Sequence, residues 1–164
     1  MTRRVRLAVL LYSAAGAAYL VDRLTKYLAE GHLAGRPPVE LIPGVLRLRY
    51  TTNPGGAFGL FGGQPWLFFA ATVVICAGIV VASFRLASRP GAFGFGLILG
   101  GALGNLTDRV IRASGLSGRV IDFVDLRIWP VFNLADSAIV VGALVVVLAG
   151  LRRQPESAPP APGG

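Results

Sequence analysis

Trp66-Leu-Phe-Phe-Ala-Ala-Thr-Val-Val-Ile-Cys-Ala-Gly-Ile-Val-Val-Ala-Ser-Phe84 runs for 19 residues without a charge. A helix of that length rises ~28 Å, close to the ~30 Å hydrocarbon core of a bilayer. Working outward, Leu7 to Val21 is also uncharged, as are the 17 residues from Gly91 to Thr107 and the 15 from Ser137 to Leu151. Each block reaches spanning length with a few flanking residues. The chain has 164 residues, of which 54% are hydrophobic and only 15% charged. A soluble domain carries about 25% charged residues. The expected fold is therefore mostly α and integral to the membrane. It is a four-transmembrane-helix bundle in a single domain over 1–153, with spans near 6–28, 65–85, 90–110 and 136–152. Residues 154–164, rich in Pro, Ala and Gly, read as a disordered tail.

The net charge of +8 would suggest nucleic acid in a soluble protein. Here arginines flank spans and meet anionic headgroups. No basic run is interleaved with aromatics as single-strand binding requires, so no nucleic-acid partner is expected. Cys76 is the single cysteine and sits mid-block, where it acts as a small hydrophobe. His32 is the single histidine and reads as a solvated loop residue. Neither a zinc set nor a Gly-x-Ser-x-Gly elbow is present, so no metal and no cofactor are expected.

The basic start, Arg3, Arg4 and Arg6, precedes an apolar run with Ala14-Ala15-Gly16-Ala17-Ala18. That pattern suits a signal peptide, but the apolar pattern continues to Leu28 and favours an uncleaved helix. Asp22 and Lys26 share a helix face at i, i+4 and can pair. Val45 to Thr51 alternates as an amphipathic strand. Asn53-Pro54-Gly55-Gly56 is turn chemistry; it either simply turns the chain or lines a site with Asn53 and its backbone. Asn105, Asp108 and Arg109 form a polar face at the end of the third block.

The remaining polar stretch is Gly118 to Asp136, with carboxylates at Asp122, Asp125 and Asp136. Four alternating spans place it on one side with Asp22, Lys26, Asn53, Asn105, Asp108, Arg109 and Asn133. Seven acids gather on that side and only Glu156 on the other. The opposite side carries seven arginines in very short segments against the spans, where the positive-inside rule is strongest. Both termini are therefore expected in the cytoplasm. Two carboxylates held close cannot both ionise cheaply. Such a pair can activate water with one member and protonate a leaving group with the other. Asp125 competes with Asp122 and Asp136 for these roles on residue chemistry alone. A small carrier using carboxylates as a relay is the alternative, and a non-catalytic membrane scaffold a weaker one.

Five ordered motifs resemble the lipoprotein signal peptidase (bacterial signal peptidase II) family. They are Asp22-Arg-Leu-Thr-Lys26, Thr52-Asn53-Pro-Gly-Gly-Ala-Phe58, Gly101-Ala-Leu-Gly-Asn105-Leu-Thr-Asp108-Arg109, Val120-Ile-Asp122-Phe123 and Phe132-Asn133-Leu-Ala-Asp136-Ser-Ala-Ile139. The resemblance implies a membrane aspartic endopeptidase that cuts a prolipoprotein before its diacylglyceryl-bearing cysteine, using Asp-activated water. It implies Asp122 and Asp136 as the catalytic dyad. Asn53, Gly55, Asn105, Arg109 and Asn133 would line the site, with Asp22, Lys26 and Asp108 as support. It also implies a small extracytoplasmic β-sheet over about 39–60, a site on the extracytoplasmic face of the bacterial inner membrane, and inhibition by globomycin-type peptides. The expected partners are the lipidated substrate and membrane lipids, and the chain is expected to be a monomer. Which aspartate holds the proton is left open. Arg119 either meets lipid phosphate or is merely solvated.

Overall fold

The computed structural model describes residues 1–54, 65–112 and 118–152. In chain order these form α1 (Arg3–Leu33), β1 (Val39–Ile42), β2 (Leu46–Asn53), α2 (Pro65–Ser83), α3 (Arg89–Ile111), β3 (Val120–Asp125) and α4 (Leu134–Leu151). The helix boundaries follow local chemistry. Thr2 caps α1, its side chain accepting from the Val5 N–H, and Ser88 caps α3 by accepting from Gly91. Pro90 occupies the first turn of α3, where its missing N–H costs nothing. Helix α1 ends at Leu33, Gly35 just beyond takes a left-handed φ of 68°, and Pro37-Pro38 keep the helix from resuming.

Helix α3 lies at the centre, packed closely on α1 and α4 and less closely on α2. Glycines make this possible. A side chain at Gly96 or Gly100 would collide with the Leu11 or Ala15 carbonyl of α1. On another face, Gly94 meets the backbone at Gly142 of α4 and Gly101 meets that at Ala135. Lipid offers apolar side chains no preference for a neighbouring helix, so close backbone approach supplies the association instead. The small residues Ala14 to Ala18 therefore have a packing role, and α1 is continuous through them.

The outer faces are apolar. Tyr27, Val74 and Leu144 are exposed, together with many other large hydrophobics. Three helical segments are long and apolar enough to cross a membrane: Arg3–Leu33, Trp66–Ser83 and Leu134–Leu151. Helix α3 is not among them. Its glycines and the polar group Asn105, Asp108 and Arg109 dilute its apolar character. At 31 residues α1 is ~46 Å long, so it extends well past the expected 6–28.

The three strands form one antiparallel sheet in the order β1-β2-β3. Two sequence expectations change here. The alternation of Val45 to Thr51 predicts one buried and one exposed strand face, yet every residue of β2 is half-buried. A bulge between Leu48 and Thr51 breaks the alternation, since these residues oppose Val124 and Asp122. The sheet also recruits β3 from beyond the expected 39–60 region, a pairing that no local pattern announces. His32, expected in a loop, stands exposed in the last turn of α1 with its ring Nδ1 2.9 Å from the Leu28 carbonyl.

The glycine contacts yield a paired test. Gly100→Ala puts a methyl into the α1 backbone, whereas a methyl at Gly16 meets nothing within 4 Å. Gly100→Ala should lower the thermal midpoint in detergent, by about 1–3 kcal/mol of overpacking. Gly16→Ala should leave it unchanged or raise it through helix propensity.

Candidate active site

Strand β3 carries Asp122, opposite Thr51 of β2. Its alternate residues Ile121 and Phe123 pack with Ala29 and Leu33 of α1, so the strand pleat turns Asp122 to the other face. Beyond β3 the chain reverses over 126–131. Arg127 takes a left-handed φ of 68°, and a bridge pairs Val124 with Phe132. That bridge returns the chain alongside β3 and delivers Asn133 to Asp122 and Asp136.

Asn133 is fully buried and joins the two aspartates. Its Nδ2 donates to Asp122 Oδ1 at 2.6 Å. Its backbone N–H donates to Asp136 Oδ2 at 3.2 Å, and its Oδ1 accepts from the Asp136 N–H at 2.9 Å. The last two bonds form a capping box at the start of α4. One residue therefore starts the helix and sets the spacing of the carboxylates. The Asn-x-x-Asp spacing before an apolar run is a sequence signal for this cap that the motif reading passed over.

Asn105 of α3 holds the other side of Asp136, donating from Nδ2 to Oδ1 at 2.8 Å. Lys26 Nζ donates to Asn105 Oδ1 at 2.8 Å, which fixes the amide orientation. Lys26 is fully buried and lies 2.9 Å from Asp22 Oδ2 and 3.0 Å from Asp108 Oδ2. Each of these carboxylates reaches one step further. Asp22 Oδ1 accepts from the Ala135 N–H at 3.0 Å, in the first turn of α4. Asp108 Oδ2 accepts from the Ile121 N–H at 3.2 Å, tying α3 to β3. Arg23 also pairs with Asp108, and Arg112 grips Glu30 with two 2.7 Å bonds. Sequence reasoning missed Arg23, Arg112 and Glu30, whose pairing is long-range.

Arg109 is buried, near Asp136 and Asp122, and its guanidinium lies 6.0 Å over the Phe68 ring of α2. Asn53, at the end of β2, hydrogen-bonds to Asp122. Gly55 lies outside the described residues. Burial first, and then the charge of Asp136, push the Asp122 carboxyl up to about 6, against the pull of the Asn53 and Asn133 bonds. Asp136 is half-buried. It borders an apolar cavity of about 360 Å³ shared with Leu126, Trp129, Phe132, Ser137, Val140 and Val141.

Asp125 stands apart. Burial would raise its carboxyl, but the Arg127 N–H at 2.9 Å and the Arg47 and Arg49 guanidinium groups, each at 2.7 Å, hold it down at about 2. It is a structural anion clamping β2 to β3, three residues from Asp122 and hence on the opposite strand face. Arg119 is exposed, 3.5 Å from the Thr51-adjacent hydroxyl of Thr52.

The backbone resembles that of two solved structures, each described as a bacterial membrane enzyme determined by the in meso method. One, at 2.3 Å resolution, gives a TM-score of 0.74 at 30% identity, with 88% of this chain and 87% of the other covered. The other, at 1.9 Å, gives 0.73 at 29% identity, with 90% and 94% covered. A profile of the family Signal peptidase (SPase) II matches residues 14–152. A lipoprotein signal peptidase of Rhodococcus jostii is 45% identical over 144 residues, covering 87% of this chain and 73% of that protein. One from Desulfitobacterium hafniense is 41% identical over 152 residues, covering 90% and 97%. The fold is that of a bacterial membrane enzyme. The chain belongs to the signal peptidase II family and is a protease.

The Lys26 cluster carries a stability prediction. Lys26→Met leaves Asp22 buried beside one cation fewer, and removing one partner of a buried pair costs about 3–5 kcal/mol. Thermal unfolding should show that loss. Adding Asp22→Asn should restore part of it, because Asp108 keeps Arg23.

Proposed function

We propose that the protein is a four-span aspartic endopeptidase that removes the signal peptide from diacylglyceryl-modified prolipoproteins, cutting before the lipidated cysteine. The observation that carries this reading is Asn133, which holds Asp122 and Asp136 together from one buried side chain and its own N–H. Helix α3, ~34 Å long, is the fourth span, shielded from lipid by α1 and α4. Its polar end then sits with the sheet at the extracytoplasmic face of the inner membrane, and both termini are cytoplasmic. The carrier alternative wants carboxylates along the spans; among the described residues they gather at one end.

The hydrogen bonds support different roles for the two aspartates. Both oxygens of Asp136 accept from fixed donors, Asn105 Nδ2 and the Asn133 N–H. Lys26 stands behind the Asn105 amide. Asp136, half-buried at the edge of the apolar cavity, is the base. Asp122, whose buried carboxyl is pushed up to about 6, is the acid. Water attacks the scissile carbonyl as Asp136 takes its proton, while Asp122 protonates the carbonyl oxygen. The tetrahedral diol then collapses. The C–N bond breaks, Asp136 protonates the departing amine, and the diol O–H returns its proton to Asp122. The dyad with one proton carries one negative charge, which Arg109 balances. The apolar cavity beside Asp136 receives the apolar part of the substrate arriving sideways from the bilayer. Globomycin-type peptides compete for the same place. One chain supplies both aspartates, which supports action as a monomer.

Asp122→Asn and Asp136→Asn should each lower cleavage of a diacylglyceryl-prolipoprotein at least 100-fold, the scale of general acid–base catalysis. Asp125→Asn should cut within a few-fold of wild type. Normal cleavage by both dyad variants would refute the mechanism.

The raised Asp122 carboxyl has two measurable consequences. Infrared titration should show its protonated form below about pH 6. Asp136→Asn should lower that midpoint, because the like charge is gone, yet leave it above the usual carboxylate range, because burial remains. A folded pKa above the unfolded value means stability is lost as pH rises from about 4 through about 6. At pH 8, therefore, inactive Asp122→Asn should be more stable than wild type, by on the order of 1 to 3 kcal/mol.

A further inference from the structure

The end of the bundle remote from the dyad holds a second built feature. Arg3, Arg6 and Arg89, all exposed, line an open cavity of about 260 Å³ whose buried wall is Leu7. Arg3 and Arg6 project from the first turns of α1, and Arg89 opens α3. Two helix N-termini, each a partial positive charge, thus meet three guanidinium groups. Arg3 is tethered across the gap, its Nη2 donating to the Ala87 carbonyl at 2.7 Å. Among the described residues, no carboxylate forms an ion pair with any of the three. Every described acid lies on α1 from Asp22 onward, on the sheet, near the end of α3 or at the start of α4, all at the other end of the bundle.

Three guanidinium groups around one cavity concentrate positive charge there, and an anion between them offsets it. Guanidinium groups bind phosphate oxygens through paired N–H donors. Leu7 is buried and gives the cavity an apolar wall, and it is also the first residue of the uncharged block. The cavity therefore lies where the apolar part of the bundle begins, at the depth of lipid headgroups. Basic pockets between membrane helices on the cytoplasmic side recognise anionic headgroups.

We infer that this cavity is a binding site for the phosphate of one anionic phospholipid, held between the starts of α1 and α3. The inference rests on the membrane-spanning reading, not on the peptidase mechanism. The lipid supplies a counter-charge that no described carboxylate provides to these three arginines. It also joins α1 to α3, the two helices whose far ends carry Lys26 and Asn105.

The test uses the full chain in mixed micelles of phosphatidylglycerol and phosphatidylcholine, with retained lipid counted by native mass spectrometry. Wild type should keep one phosphatidylglycerol in preference to phosphatidylcholine. Arg3→Gln/Arg6→Gln/Arg89→Gln should reduce that preference roughly 100-fold, from about 1 kcal/mol per arginine at an anionic surface. Arg4→Gln/Arg85→Gln/Arg152→Gln removes the same charge at the same end but does not touch the cavity, and should keep the preference. Equal loss in both triple variants would reduce the effect to general surface charge and overturn the site. So would an unchanged preference in the cavity variant. Full displacement of the lipid by millimolar inorganic phosphate would overturn the lipid assignment in favour of free phosphate. Failure of wild type to insert into bilayer nanodiscs would overturn the spanning reading and the site with it. Insertion with no lipid preference would overturn the site alone. Circular dichroism of the cavity variant should match wild type, which excludes misfolding as the cause of its loss.

Discussion

The structure depends on one buried cation. The Lys26 ammonium has no contact with solvent and sits between Asp22, Asp108 and the Asn105 amide. A charge held away from water is tolerable only where its partners satisfy it. Those partners come from α1 itself and from α3, and they reach on to the first turn of α4 and to β3. Satisfying Lys26 therefore fixes how four elements meet. That junction is where the two aspartates stand.

Elsewhere the bundle is held differently. Along α3, glycines allow α1 and α4 to approach backbone to backbone, and the large side chains point outward to where lipid would lie. A division of labour results. Close packing without polar groups joins the middle of the helices, and hydrogen bonds and ion pairs join one end. In hydrocarbon the first is effective because neither lipid nor neighbouring side chains compete for the contact. The second is affordable only at the end, where charge is cheaper to place.

The Asp122–Asp136 pair also carries a cost in stability. Asp122 is nearly completely buried, and its carboxyl is pushed up by that burial and by Asp136. A protein selected for stability alone would not place two carboxylates on one asparagine. Asp125, three residues away, shows the contrasting solution: two arginines and a backbone N–H hold it as a settled anion. Residue type is the same in both cases, and the surroundings decide which carboxyl is raised and which is held as an anion.

Much was legible from residue order alone. Uncharged blocks marked the helices, because helix length against bilayer thickness is a one-dimensional constraint. The Asp22–Lys26 pair was legible because four residues are one helical turn. The motifs gave the family. The rest is non-local. Strand β3 pairs with β2 across some 70 residues, the β2 bulge erases the alternation that marked it, and Asp108 reaches Lys26 from another helix. Sequence by itself determined which residues are polar in an apolar chain, and so which must find partners. Only tertiary structure decided that Asn133 would bridge Asp122 and Asp136 while Asp125 turned away. The reason is geometric: a strand pleat, a left-handed residue at Arg127 and a helix cap must coincide before those carboxylates meet.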